Sequence, residues 1–367
     1  MILLLLLLCG LLVATALIMT WSLWRAFAEY KIRKNYSAAL EAPSVSVCIP
    51  ARNEMHAMTE CLESVLASDY EKMEVIVYDD SSVDDTSMLI KSFAHAGVRF
   101  VPGNDLPEGW LGKNNALEVL AKEASGTYVI FMDVDTRIRP ATISQLVGYI
   151  TSENAAMVSV IPRREDTGRA SVYLGALRYF WQLLLPNRPA VSSSLWMVAR
   201  ESLIQELGGF ERFKKAVEPE AALARFYGTG YHCLIATVQL GVSYEKKLSS
   251  QYETARRLLY PLFGGRWWRG IFAGLFLLFL NAPLLLVVIS LLQMQIPLLV
   301  ISACVLAAFM LLYGLFAMRL WSGRWWLASL LWPYIILQEF VLLLLSIIGY
   351  ATHTITWKGR PVTLNGK

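Results

Sequence analysis

Residues 2–24, ILLLLLLCGLLVATALIMTWSLW, contain no charged side chain. A bilayer core takes about 20 apolar residues per helix, so this block is long enough to span one. Three more apolar blocks fill approximately 271–292, 296–318 and 327–350. A chain built this way is tied to a membrane at both ends. A cleaved signal peptide fits the first block poorly, because no basic segment precedes it and the run is longer than a signal's apolar core. The residues before Cys9 also lack the small side chains of a lipoprotein site. Arg25, Lys31, Arg33 and Lys34 follow at once. Under the positive-inside rule they and the region after them face the cytoplasm, which predicts a multi-pass protein of the cell membrane. The basic residues behind the net charge of +4 gather near the apolar blocks, a pattern that suits a membrane surface and not nucleic acid. The five cysteines form no C-x-x-C and the four histidines are scattered, so neither a disulfide framework nor a zinc or histidine metal site is suggested.

A basic linker (25–42) leads into alternating strand and helix signals. VSVCIPA (45–51), EVIVYDD (74–80), VRFVP (98–102) and TYVIFMD (127–133) read as strands, with helices at 54–68, 84–96, 113–124 and 140–152. Such alternation predicts an α/β domain with a mostly parallel sheet covered on both faces, and such sheets bind ligands outside the carboxyl ends of their strands. AMVSVIP (156–162) and SLWMVAR (194–200) continue as strands. YLGALRYFWQLLLP (173–186) is either a packing helix or an interfacial one, with Arg169, Arg178 and Arg188 at headgroup level. GGRWWRG (264–270) and SGRWW (322–326) look like interface anchors. Pro333 and Glu339 interrupt the third block. An intramembrane Glu is a functional candidate, and a shallow or re-entrant helix end is the bland alternative. The expected division is an anchor (1–24), a linker (25–42), the α/β domain (43–250), an interfacial segment (251–270), membrane helices (271–350) and a basic tail (351–367).

The chemistry concentrates in YVIFMDVDTRIRP (128–140). Asp133 and Asp135 stand at alternate positions, so both carboxylates can project from a strand end or from the turn just after it. Two like charges side by side want water or a cation. An EF-hand is excluded, since its sixth position needs Gly and holds Ile138. GWLGKNN (109–115) resembles a phosphate loop only superficially, its glycines too close and Asn following the Lys. Mg²⁺ and similar ions bind through one or two carboxylates plus substrate phosphates, so a phosphate-bearing ligand suits this pair.

SVSVCIPARNE (44–54), VIVYDDSSVDDT (75–86), PEGWLGKNNAL (107–117) and FMDVDTRIRP (131–140) occur in this order. The succession resembles the family 2 glycosyltransferases with a GT-A fold. LGGF (207–210), EPEAALARFYGTGYH (218–232) and the ending TITWKGRPV (354–362) extend the resemblance over nearly the whole chain. The nearest relatives implied are membrane enzymes that glycosylate lipids: ceramide glucosyltransferases, hopanoid-associated transferases and carotenoid-acid glycosyltransferases. They share the P-x-GW-x-GK segment and a Trp-basic tail.

The resemblance implies a Rossmann-like nucleotide-sugar-binding domain and roles for its residues. Pro50 to Glu54, Arg52 among them, lie where the family cradles base and ribose. Asp80 would accept from the uracil imide N–H, and Lys113 would sit near the nucleotide or its diphosphate. Asp133 would face the ribose or sugar, and Asp135 would hold a divalent metal, Mg²⁺ or Mn²⁺. Glu220 aligns with the family's acid in an ED-x-x-L segment, with Pro219 where its acidic partner should stand and Glu218 as fallback. A solvated helix N-terminus is the competing reading of Glu220. The Q-x-x-R-W segment of processive members is missing, and Arg256 or Arg257 stands near its place. These features imply an inverting, metal-dependent hexosyltransferase from a UDP-sugar to a membrane lipid. A processive polysaccharide synthase and a non-catalytic membrane nucleotide-sugar-binding protein are the alternatives.

Overall fold

The protein is described by a computed structural model that covers residues 2–31, 36, 42–165, 173–185, 188–321 and 325–364. The expectations placed on Arg33, Lys34, Arg169, Pro186 and Arg324 lie outside the described residues. The chain forms two compact units, neither continuous in sequence. One comprises Met1–Glu29, Glu165–Asn187 and Lys247–Thr354; the other comprises Tyr30–Arg164, Arg188–Lys246 and Ile355–Lys367. The expected 43–250 domain is thus interrupted at its middle, and residues 355–367 of the expected basic tail belong to the α/β unit.

In the α/β unit the strands are β1 (Val45–Ala51), β2 (Met73–Asp79), β3 (Val98–Pro102), β4 (Tyr128–Met132), β5 (Thr136–Arg137) and β6 (Met157–Ile161). After them come β7 (Arg163–Arg164), β8 (Leu195–Ala199), β9 (Tyr231–Ile235), β10 (Ser243–Tyr244), β11 (Thr356–Trp357) and β12 (Arg360–Pro361). The main sheet runs β3-β2-β1-β4-β8-β6-β9. β1 pairs in parallel with β2 on one side and β4 on the other. The sheet is mostly parallel, as the sequence suggests, and β8 alone runs antiparallel to both its neighbours. The chain leaves the unit after β7 and returns from the opposite direction, and antiparallel pairing accepts such a return without a crossover helix.

The strand residues alternate between two cores. Val47, Ile49, Ile130 and Met132 face one, while Cys48, Val129, Phe131 and Trp196 face the other. Continuous apolar runs are what a sheet covered on both faces requires. Pro50 is tolerated inside β1 because pairing with β4 stops at Cys48, so no ladder bond is lost there. Strand order reverses at β1: the chain goes to β2 on one side and later to β4 on the other. Ligands of open α/β sheets bind at such a switch point, beyond the strands' carboxyl ends.

The other unit is helical. Four of its helices are long and apolar enough to cross a membrane: Leu4–Glu29, Trp267–Leu292, Ile296–Leu320 and Trp332–Ala351. They leave large apolar side chains exposed, among them Leu7, Leu17, Phe272, Leu285 and Leu311, which suits a lipid surroundings. The third C-terminal block is two helices, Trp325–Leu330 and Trp332–Ala351, with Pro333 in the first turn of the second. Pro is accepted there because that N–H has no helical partner in any case. Glu339 is fully buried within the unit and takes hydrogen bonds from the Leu177 N–H (3.0 Å) and Trp181 Nε1 (2.8 Å). It ties the short helix Arg178–Leu184 to the last long one, which gives this buried acid a structural task. Arg256 and Arg257 also belong here, on the helix Leu248–Leu262, with the Arg257 carbonyl accepting from Tyr350 Oη at 2.7 Å.

Candidate active site

Three loops leave the carboxyl ends of β1, β2 and β4. In register, Ala51 stands beside Asp79, and Cys48 beside Phe131, so the strand ends and the turn at 133–135 lie at one level. The loop after β1 is laced to the loop after β2. Asn53, in the left-handed region (φ 53°), accepts from the Val83 N–H at 2.9 Å and donates its own N–H to Ser82 Oγ at 2.9 Å. The Glu54 N–H donates to Thr86 Oγ1 at 2.8 Å. Of the acidic pair after β2, Asp79 is used up in the loop, accepting from the Ser82 N–H and from the Ser82 and Ser87 hydroxyls. Asp80 is left to face the crevice. Gly103 sits against it so closely that a Cβ there would meet the Asp79 carbonyl at 2.4 Å and Asp80 Cα at 3.1 Å.

β4 stops at Met132, one residue earlier than the sequence pattern suggests. The backbone then turns, with the Thr136 N–H bonded to the Asp133 carbonyl at 3.0 Å. Asp133 and Asp135 are therefore turn residues and share no strand face. A cation meets each of them. Lys113, in the first turn of the helix Gly112–Glu123, donates to Asp133 Oδ1 at 2.8 Å. Lys246 lies 3.1 Å from Asp135 Oδ2. It arrives there because β10 pairs with β5 and the Glu245 N–H extends the ladder to the Asp135 carbonyl at 3.0 Å.

Two further acids complete the crevice, each with a cation of its own. Lys358 lies 2.9 Å from Glu54 Oε1. Arg360 Nη2 donates to Asp80 Oδ1 at 2.7 Å, while Arg52 Nη1 lies 3.9 Å from Asp80 Oδ2 and donates to the Asp80 and Ser81 carbonyls. Burial raises the Asp80 carboxyl above its ordinary value, and Arg360 and Arg52 offset part of that rise. Glu54 is likewise raised by burial and partly relieved by Lys358. At Asp133 burial pushes upward too, but the Lys113 ammonium and its hydrogen bond outweigh it and hold the group below the usual range. The crevice is an alternating arrangement of acids and bases, dense in charge.

Glu220 is reached through two connections. Asn114, next to Lys113, is buried and donates to the carbonyls of Phe213, Lys214 and Ala216 at 2.7, 3.1 and 2.8 Å. That clamps the segment leading into the helix Pro219–Tyr227. On the other side Val191 packs with Ala221 and Ala224 of that helix. Two residues on, Ser193 hydrogen-bonds Asp133 and the Ser194 carbonyl takes the Asp133 N–H at 3.0 Å. Pro219 opens the helix and Glu220 lies in its first turn, only 3% exposed. It is at a helix N-terminus, as the competing reading has it, but it is not solvated.

Among the described residues no group of three or more His, Cys, Asp or Glu side chains stands ready to hold a metal ion. Asp133 and Asp135 supply two carboxylates, each already opposite a lysine. A hard divalent cation takes six or more oxygens, so the pair fits such an ion together with a diphosphate and water. Lys246, Lys358 and Arg360 have no counterpart in the sequence-based site. Gly359 between Trp357 and Arg360 is a turn signal, but nothing local says where that hairpin docks.

Residues 46–205 match the glycosyl transferase family 2 profile. The probable glycosyltransferase YdaM of Bacillus subtilis is 26% identical over 209 residues, 52% of this chain and 48% of its own length. The GalNAc(5)-diNAcBac-PP-undecaprenol beta-1,3-glucosyltransferase of Campylobacter jejuni is 29% identical over 108 residues, 29% of this chain and 34% of its own length. This chain thus spans half or less of the length of these curated relatives. Among solved structures, the mannosyltransferase PcManGT of Pyrobaculum calidifontis, in complex with GDP-Man and Mn²⁺, is similar with a TM-score of 0.56. It covers 94% of this chain and 99% of that one at 20% identity, a likeness of fold.

Proposed function

In a chain that carries a family 2 glycosyl transferase domain at residues 46–205, we propose an inverting transferase that moves a hexosyl group from a UDP-sugar to a hydroxyl of a membrane lipid. The observation that carries this reading is the convergence of Arg52, Glu54, Asp80, Asp133 and Asp135 at the carboxyl ends of β1, β2 and β4, interleaved with Lys113, Lys246 and Arg360. A nucleoside diphosphate brings negative charge into such a crevice. Lys113 and Lys246 can turn from the aspartates to phosphate oxygens, leaving Asp135, with Asp133 beside it, to hold a divalent ion. When bound, that ion would neutralise charge building on the diphosphate leaving group. The residues do the rest. Asp80 accepts the imide N–H of the base, and Pro50 to Glu54 border base and ribose. The acceptor oxygen forms its bond to the anomeric carbon while the bond from that carbon to the diphosphate oxygen breaks. Glu220 takes the acceptor's proton, and UDP departs with the electron pair.

The lipid acceptor is supported by the helices at both ends of the chain and by the undecaprenol in the name of the Campylobacter relative. Arg25 and Lys31 beside the first helix favour a cytoplasmic site. The test is to offer the detergent-purified protein a panel of radiolabelled nucleotide sugars with total membrane lipid. Label in the organic phase is expected. Label confined to aqueous polymer or oligosaccharide would favour a polysaccharide synthase, and no transfer despite nucleotide binding would favour a non-catalytic binder.

A further inference from the structure

The last described residues form a two-stranded hairpin. Thr356 pairs with Pro361 and Trp357 with Arg360, and the Val362 N–H bonds the Ile355 carbonyl at 2.9 Å. The two residues between, Lys358 (φ 49°) and Gly359 (φ 80°), are both left-handed, as the tightest hairpin turns require. Gly takes that conformation freely, whereas a lysine there is uncommon. The hairpin is held on the crevice at the turn itself. Arg52 Nε donates to the Lys358 carbonyl at 3.0 Å, and Lys358 Nζ lies 2.9 Å from Glu54.

Arg360 then meets Asp80 in an incomplete way. Its Nη2 donates to Oδ1 at 2.7 Å, while Asp80 Oδ2 and Arg360 Nε, both buried, have no hydrogen-bond partner among the described residues. Asp80 is 1% exposed. A buried acceptor and a buried donor left open are costly to a folded chain, so a site that keeps both asks for a ligand. The two atoms border the same space. A Cβ added at Gly112 would lie 3.2 Å from Asp80 Oδ2, 3.4 Å from Arg360 Nε and 2.8 Å from Arg360 Cδ. Only glycine leaves that space open.

We propose that the C-terminal hairpin is a wall of the donor pocket, and that Arg360 binds the nucleobase beside Asp80. An open acceptor next to an open donor complements a base edge on which an N–H adjoins a carbonyl. On the uridine reading, N3–H donates to Asp80 Oδ2 and a flanking carbonyl accepts from Arg360 Nε. Arg360 Nη2 meanwhile keeps the buried Asp80 charge compensated. This rests on the proposed transferase function and adds a base-binding residue from the far end of the chain.

The test is UDP binding by the full-length protein in detergent, read by calorimetry beside its melting midpoint without nucleotide. Arg360→Lys keeps the charge on Asp80 and removes the Nε–H. It is expected to weaken UDP binding by about tenfold or more, the value of one lost charge-assisted hydrogen bond, with the unliganded midpoint kept. Gly112→Ala fills the space without altering any charge, and a similar loss of affinity is expected. UDP affinity that is unchanged in Arg360→Lys, or that falls only in step with the melting midpoint, overturns the proposal. So does tighter binding, because the hairpin would then be a plug. If the unaltered protein binds no nucleoside diphosphate at all, the transferase reading fails and this inference with it.

Discussion

At the scale of single residues, the crevice is ruled by how each buried acid is compensated by a neighbouring base. Glu220 is the least solvated of those assigned to the reaction's proton. Glu220→Gln preserves size and removes the proton acceptor, so turnover should fall by about 10²–10⁴-fold while nucleotide affinity stays. If Glu218→Gln shows that phenotype and Glu220→Gln does not, the base is the residue that caps the helix. Asp80 and Glu54 make a separate prediction through pH. Both are raised by burial, with their basic partners offsetting part of the rise. Each therefore holds its proton more tightly folded than unfolded. Their contribution to stability is full below the unfolded value and is lost as pH rises through the raised folded value. Base recognition runs the other way, because the ionised Asp80 accepts from an N–H about twice as strongly as the neutral acid. UDP affinity should therefore decline on acidification before the ordinary aspartate range is reached. Affinity that holds flat into that range would remove Asp80 from the role.

Secondary elements explain why these residues meet. The helix Gly112–Glu123 carries Lys113 toward Asp133 and, one residue on, Asn114 toward three carbonyls of the 213–216 segment. Asn114→Ala leaves those buried carbonyls without their donor while touching no residue given a chemical role. The expected result is a fall in kcat that follows the displacement of Glu220, at nearly constant UDP affinity. Equal losses in both would show that Asn114 merely holds the domain together. The strands and helices up to 152 were legible from alternation of apolar runs, to within a few residues at their ends. The antiparallel β8 was not, since pairing direction leaves no mark on a strand's own residues. The turn at 133–135 was open between two readings because a period of two persists formally through Val134. Lys246 could not be seen at all: it reaches Asp135 by way of the two-residue strands β5 and β10, too short to leave a pattern.

For the whole molecule, the hairpin sets a condition on the membrane helices. Arg360 and Asp80 are 280 residues apart in sequence, yet hydrogen-bonded within one compact unit. With the chain in a bilayer, the segments of that unit, 30–164, 188–246 and 355 onward, would therefore lie on the same side. The chain between them must cross an even number of times, although three helices there are long and apolar enough to cross. We predict that one of the three does not go through. Trp332–Ala351 is the least apolar of them and begins after a break. At about 1.5 Å per residue its 20 residues only just match a bilayer core. It also keeps Glu339 at its middle, fully buried and bonded to Leu177 and Trp181. On that prediction Trp267–Leu292 and Ile296–Leu320 would form the crossing pair, with the turn at Met294 on the far side. Single cysteines at Met294, Val83 and Leu364, in a chain whose exposed Cys304 is replaced, should settle the arrangement with a membrane-impermeant thiol reagent on intact cells. Met294→Cys is expected to label, and Val83→Cys and Leu364→Cys only after the cells are opened. Labelling of Leu364→Cys from outside, with Val83→Cys protected, would put the hairpin across the bilayer from Asp80 and end its role in the pocket.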